Sequence, residues 1–193
     1  MKTAFVDIDT QLDFMFPSGA LYVPGAERIL PSVASLNRYA AHNGIPVIST
    51  TDAHTEDDPE FRVWPHHCVA ATLGQRKVEA TLLARRVVIP NRKCPLALAD
   101  AQQIVLEKQT VDVFQAPNLA RVVELLAAER FVVYGVVTEI CVLYAARGLL
   151  GRGKRVSVVT DAIAALNPRD SERALQELEA AGARLVTAAS AAV

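Results

Sequence analysis

Aromatic residues are scarce in this sequence: six Phe, four Tyr and one Trp make up only 6% of its 193 positions. Half of the chain is nonetheless hydrophobic (51%), so a core must be built from Ala, Val, Leu and Ile, as in layered α/β proteins. An excess of either charge is also missing. Twenty Lys and Arg against 21 Asp and Glu leave a net charge of −1, which offers no field to draw the protein to nucleic acid or to a membrane surface. No apolar run approaches the roughly 20 residues of a membrane span, and Met1-Lys2 leads directly into a strand pattern with no signal-peptide character. The three cysteines, Cys68, Cys94 and Cys141, are odd in number and have no paired spacing. That argues against a disulfide framework and for a reducing compartment, so a cytoplasmic protein is expected. No G-x-G-x-x-G follows the first strand, which excludes a dinucleotide fingerprint. Repeats, low-complexity tracts and linkers are absent too, and a single domain over residues 1–193 is expected.

What is present is an alternation of strand and helix signals. Strands are predicted at Thr3–Ile8, Pro46–Thr51, Arg86–Ile89, Gln103–Glu107, Phe131–Val136, Arg155–Thr160 and Ala183–Thr187. Helices are predicted at Ala26–Ala41, Leu119–Arg130, Glu139–Leu150 and Arg169–Ala181. Repeated βα units of this kind predict a three-layer α/β/α sandwich around a mainly parallel sheet. A long polar stretch from Asp52 to about Gln75 has little regular period, and a loop of that length in a compact domain is usually functional.

Ligands of open α/β sheets bind beyond the carboxyl ends of the strands, and the chemically capable residues fall there. Asp9 closes the first strand, Asp52 the second, and Lys108 follows the Gln103–Glu107 run. In Tyr134-Gly135-Val136-Val137-Thr138-Glu139-Ile140-Cys141, Gly135 is expected to break the strand and Thr138 to cap the next helix. Cys141 then falls in the first helical turn, where free amides and the helix dipole favour a thiolate. An acid, a lysine and a thiol at one sheet edge suit nucleophilic attack on a carbonyl, with the carboxylate moving the proton. Backbone N–H groups near Val137 and Cys141 are candidates for an oxyanion hole. Taken singly, each has a plainer reading: a core cysteine, a turn-forming Asp, a solvated Lys.

The long loop holds a second constellation: Asp52, His54, Glu60 and His67, the last within Trp64-Pro65-His66-His67-Cys68. Two imidazoles and two carboxylates suit a divalent Zn, Fe or Mn rather than Ca or Mg. The plainer reading is a polar loop with surface histidines. His66 competes with His67 as a ligand, Cys68 reads as packing, and His42 as a surface residue.

Several motifs in order resemble the isochorismatase-like cysteine hydrolase superfamily, and within it the nicotinamidase/pyrazinamidase branch. Asp9-Thr10-Gln11-Leu12-Asp13-Phe14 is similar to the D-x-Q-x-D-F signature. Gly19-Ala20-Leu21-Tyr22-Val23-Pro24-Gly25-Ala26 resembles the segment after it, Asp52-Ala53-His54 with Trp64–Val69 the metal segment, and Gly135–Cys141 the nucleophile elbow. The resemblance implies Cys141 as nucleophile, Asp9 as general acid/base and Lys108 as the third member. It also implies a cis peptide at Val136-Val137, and Asp52, His54, Glu60 and His67 around a divalent metal that holds the pyridine nitrogen of the substrate. Phe14, Leu21, Val23 and Trp64 would form the apolar pocket wall. Ile140 stands where nicotinamidases often carry Tyr, and the segment Lys108–Phe114 resembles the wider superfamily instead.

The implied activity is hydrolysis of a small amide, nicotinamide to nicotinate and ammonia, through a thioester. The alternatives are an isochorismatase-type or N-carbamoyl-amide hydrolase, or a non-catalytic α/β binding module. The resemblance further implies a homo-oligomer, for which the Ala-rich helices Ala26–Ala41 and Glu139–Leu150 are candidate faces.

Overall fold

The structure, a computed structural model, describes residues 2–98 and 100–191. Seven strands form one sheet: β1 (Thr3–Ile8), β2 (Val47–Asp52), β3 (Arg86–Ile89), β4 (Gln103–Lys108), β5 (Arg130–Val136), β6 (Arg155–Ala164) and β7 (Arg184–Val186). Their order is β3-β4-β2-β1-β5-β6-β7, and every pairing between them is parallel. The helices are α1 (Leu12–Met15), α2 (Leu30–His42), α3 (Leu119–Leu126), α4 (Leu143–Leu150), α5 (Pro168–Ala180) and α6 (Ala188–Ala191). None of the described helices is long and apolar enough to cross a membrane.

Each central strand buries both faces, so alternate residues serve two cores. On one side Val33, Leu36 and Ala40 of α2 pack with Phe5, Val47, Val132 and Tyr134. On the other, Val122 of α3, Ala145 and Leu149 of α4 and Leu178 of α5 pack with Val6, Ile48, Phe131 and Val158. This is the three-layer arrangement expected from the alternating pattern. The small residues of the two Ala-rich segments are used within the chain: Ala26, Ala34, Ala40, Ala145 and Ala146 are all buried.

The differences from the sequence expectations are local. Gly135 lies inside β5 with φ +115° rather than ending it. Here β5 runs against β1 so closely that a Cβ would sit 2.1 Å from the Ile8 carbonyl oxygen, and its pairing with β6 shifts, Val133 facing Val158 but Gly135 facing Ile163. β6 accordingly runs on to Ala164. The helix expected from Ala26 begins as a 3₁₀ turn, Ala26–Ile29, before α2. The helix expected from Glu139 opens as a π-helical turn, Thr138–Val142, before α4. Thr138 provides no cap; its hydroxyl donates to the Ala164 carbonyl at 2.9 Å instead. α3 stops at Leu126, where Ala127 turns left-handed, and the short α1 and α6 have too few residues to show a period.

The register sets the site. Asp52 pairs with Lys108 at the ends of β2 and β4, and Ile8 pairs with Gly135 near the ends of β1 and β5. The four contiguous strands β4-β2-β1-β5 therefore deliver Lys108, Asp52, Asp9 and the Cys141 turn to one edge.

Candidate active site and metal centre

Asp9 follows β1 with a left-handed backbone, φ +48°, which turns its side chain into the protein. Its Oδ1 accepts the Thr50 hydroxyl at 2.6 Å. Its Oδ2 lies 2.9 Å from Lys108 Nζ yet takes no well-aligned hydrogen bond, so that oxygen is free to receive a proton. Lys108 ends β4 rather than following it. Its ammonium is enclosed, ion-paired to Asp52 Oδ1 and Asp9, and 3.8 Å from Cys141 Sγ. The peptide between Val136 and Val137 is cis. The structure thus brings Asp9, Lys108 and Cys141 together, as the sequence spacing predicted.

The electrostatics correct one expectation. Burial, opposed by the Lys108 charge and reinforced by Asp9 and Asp52, holds the Cys141 thiol well above its ordinary value. Removal from water therefore disfavours the thiolate that the amides and dipole of the helix start would favour. Burial also raises Asp9, against the pull of Lys108. Asp52 goes the other way: despite burial, Lys108 and then His54 bring it down to about 2. Lys108 is held above its usual value by Asp52 and Asp9, which outweigh its burial.

Beside this group, ligand atoms of Asp52, His54 and His67 lie within 4.8 Å of one another, and all three residues are buried. Glu60 is not in this set; it clusters with His54 and Asp58 within the same distance. His54 Nδ1 is held by Asp58 Oδ2 at 3.0 Å and His67 Nδ1 by the Pro65 carbonyl at 2.7 Å. Each ring therefore keeps Nε2 for another partner, the arrangement typical of metal-bound imidazoles. His54 Nε2 is buried with no hydrogen-bond partner. Burial opposes protonation of His54, but Asp52, then Asp58 and Glu60, push it up to about 9; the cluster attracts positive charge. Burial lowers His67 and leaves it neutral as a donor. An orphaned imidazole nitrogen among carboxylates fits a divalent cation.

Within the cluster, Asp58 is the residue that sequence reasoning missed. Its only sequence signal is its place four residues after His54; it also caps the 3₁₀ turn Pro59–Arg62, accepting from Glu60 N–H. His66 is exposed and stacks on Phe61, with ring centroids 4.2 Å apart, so His67 takes the inward place. Cys68 is fully buried and His42 is exposed.

A cleft open to solvent joins the two groups. Asp9 and Cys141 line it, as do Asp52, Glu60 and His67, and its walls are Phe14, Leu21, Trp64, Val111, Val136, Val137, Ile140 and Leu166. Val23, expected in the wall, is instead a core residue with no exposed surface. Val111 and Leu166 were not foreseen. Leu166 reaches the cavity because Thr138 and Glu139 tie the β6–α5 connection to the cysteine turn; Glu139 Oε1 accepts from Asn167 N–H at 2.8 Å.

A fold with this sheet order and a cysteine, an acid and a lysine at its carboxyl edge defines a class of α/β hydrolytic enzymes, and comparison with known proteins names it. The chain matches the isochorismatase domain over residues 3–190 and belongs to that family. It is 26% identical to the nicotinamidase of Escherichia coli (strain K12) over 207 aligned positions, covering 96% of this chain and 95% of that protein. The crystal structure of the pyrazinamidase of Pyrococcus horikoshii in complex with zinc superposes with a TM-score of 0.81 at 30% identity, covering 97% of this chain and 99% of the other. The N-carbamoylsarcosine amidase of Thermoplasma acidophilum superposes with a TM-score of 0.79 at 26% identity, covering 97% of each chain.

Proposed function

We propose that the protein is a cysteine amidase that hydrolyses a small neutral amide of the nicotinamide type. The observation that carries this reading is the cavity's lining: Asp9 and Cys141 at one group, Asp52, Glu60 and His67 at another, apolar walls between, and no Arg or Lys among the described residues that line it. A substrate bearing a carboxylate, as isochorismate or an N-carbamoyl amino acid does, would meet three acidic side chains and no Arg or Lys, and would have to compete with the ring nitrogen for any cation held there. A neutral aromatic amide loses nothing there, and its ring matches the walls of Phe14 and Trp64.

In this mechanism Asp9 Oδ2 takes the thiol proton as Cys141 Sγ bonds to the amide carbon. A thiol held well above its ordinary value makes that transfer part of the attack rather than a step before it. Lys108 balances the charge that develops between sulfur and carboxylate, and the backbone N–H groups of Val137 and Cys141 receive the carbonyl oxygen. Asp9 then gives its proton to the amide nitrogen as the C–N bond breaks, releasing ammonia and leaving a thioester on Cys141. Water, deprotonated by Asp9, adds to the thioester carbon. The C–S bond breaks, the acid leaves, and the proton returns to sulfur. Asp52, His54 and His67, with Glu60 beside them, would hold a divalent cation: zinc, as in the Pyrococcus horikoshii structure, or iron or manganese with the same donors. When bound, that ion supplies a Lewis-acidic seat for a ring-nitrogen lone pair.

The test is a substrate panel measured as ammonia release. Nicotinamide and pyrazinamide are expected to exceed an N-carbamoyl amino acid by at least roughly 100-fold in kcat/KM, the cost of enclosing an unpaired charge. Equal turnover of the anionic substrate refutes the reading. The homo-oligomer implied by the family resemblance is checked by light scattering on the eluting protein.

A further inference from the structure

The segment that carries Asp9 does more than supply an acid. Gln11 is fully buried, and its carboxamide closes a reciprocal pair on the backbone of Asp52. Nε2 donates to the Asp52 carbonyl at 2.8 Å, and Oε1 accepts the Asp52 N–H at 2.7 Å. The second N–H of Nε2 goes to the Gln75 carbonyl at 2.7 Å. The last backbone bond between the two segments runs from Asp9 N–H to the Thr50 carbonyl at 3.2 Å, and the Gln11 side chain continues the pairing at Asp52. Two residues on, Asp13 grips the other arm of the metal cluster. Its Oδ2 accepts the N–H of Cys68, next to His67, at 2.7 Å, and its Oδ1 accepts from Ala20 N–H at 3.0 Å. The Gly74 backbone lies so near that a Cβ there would fall 2.1 Å from Asp13 Oδ2. Phe14 then packs against the His67 ring, with centroids 5.4 Å apart.

From this geometry we infer that Gln11 and Asp13 are positioning residues for the metal cluster, Gln11 holding the Asp52 arm and Asp13 the His67 arm. Neither side chain is itself a ligand. Asp52 and His67 lie at different places along one loop, and one short stretch beside Asp9, distant from both in sequence, fixes both backbones. The cation's seat is therefore built from the same segment as the general acid. This inference rests on the cluster being a metal site, as proposed above.

The test is zinc affinity, measured on chelator-stripped protein by competition with a chromophoric chelator. The proteins compared are the wild type, Gln11→Leu, Asp13→Asn, and Leu178→Ala, a core truncation in α5 on the opposite face of the sheet. Gln11→Leu is expected to weaken zinc binding 10–100-fold and Asp13→Asn about tenfold, the usual effect of losing support behind a ligand. Leu178→Ala is expected to melt lower while binding zinc within twofold of the wild type, which separates positioning from general loss of stability. Asp13→Asn keeps one acceptor oxygen and carries the test if Gln11→Leu does not fold. Zinc affinities within twofold of the wild type in the folded variants overturn the inference, as does an equal weakening in Leu178→Ala. A wild type that binds no zinc overturns the metal reading itself, a result distinct from these.

Discussion

Removing the Lys108 ammonium while keeping its stem, as in Lys108→Met, tests how the buried charges hold one another. The wild-type Nζ is enclosed against Asp9 Oδ2 at 2.9 Å and against Asp52 Oδ1. Without it, two buried carboxylates are left with only His54, 3.9 Å from Asp52, as a compensating cation, and Asp9 has none. Stranding a buried charge in this way costs about 3–5 kcal/mol, which at 2–4 °C per kcal/mol lowers the melting temperature by roughly 6–20 °C at pH 7.5. The effect has a definite pH dependence. In the wild type Asp52 is held at about 2 against 3.8 when unfolded. Its contribution is complete above pH 3.8 and is lost only as the pH falls from there toward 2. In the variant Asp52 keeps His54, but Asp9 loses the Lys108 charge that opposed its burial, so the Asp9 carboxyl is raised further above its unfolded value. A raised acid is most favourable when protonated, so the variant loses stability as the pH rises through its folded-state value. Urea unfolding at pH 5 and pH 7.5 should therefore show a wild-type-to-variant gap that narrows at the lower pH. An equal gap at both values, or none, would refute the reasoning.

Other outcomes follow from the same geometry. Gly135→Ala should destabilise by about 3 kcal/mol or more, from left-handed strain and a backbone clash that no rotamer relieves; thermal melting checks it. Protein purified without chelator should carry about one metal ion per chain by elemental analysis, and His54→Ala should abolish that occupancy. Leu166→Ala should lower kcat/KM for nicotinamide about tenfold through the cavity wall, leaving the melting temperature within a few degrees because Leu166 is only partly buried.

Much of this architecture was legible from local pattern. Buried parallel strands are continuous β-branched runs, and Phe131-Val132-Val133-Tyr134 or Pro46-Val47-Ile48 announce themselves without tertiary information. The convergence of Asp9, Lys108 and Cys141 was legible because strand ends of one sheet share one edge. What the sequence concealed depends on contacts between segments. Gly135 looked like a stop because glycine punctuates strands; only the approach of Ile8 shows that it sustains one. The thiolate expected from the helix start gave way to burial, and burial is a property of the whole fold. Val23 was drawn into the wall by its neighbours in sequence but faces the core. Asp58 has no motif of its own, and its role emerges only from its hydrogen bond to His54.

The most direct test of the central claim is ammonia release from nicotinamide by zinc-replete protein, with Cys141→Ala measured alongside. Release by the wild type that falls at least roughly 10³-fold in the variant, while its melting temperature holds, is the predicted result. Release that persists in Cys141→Ala would contradict the assignment of the nucleophile. No release from nicotinamide by a zinc-loaded wild type would contradict the proposed substrate.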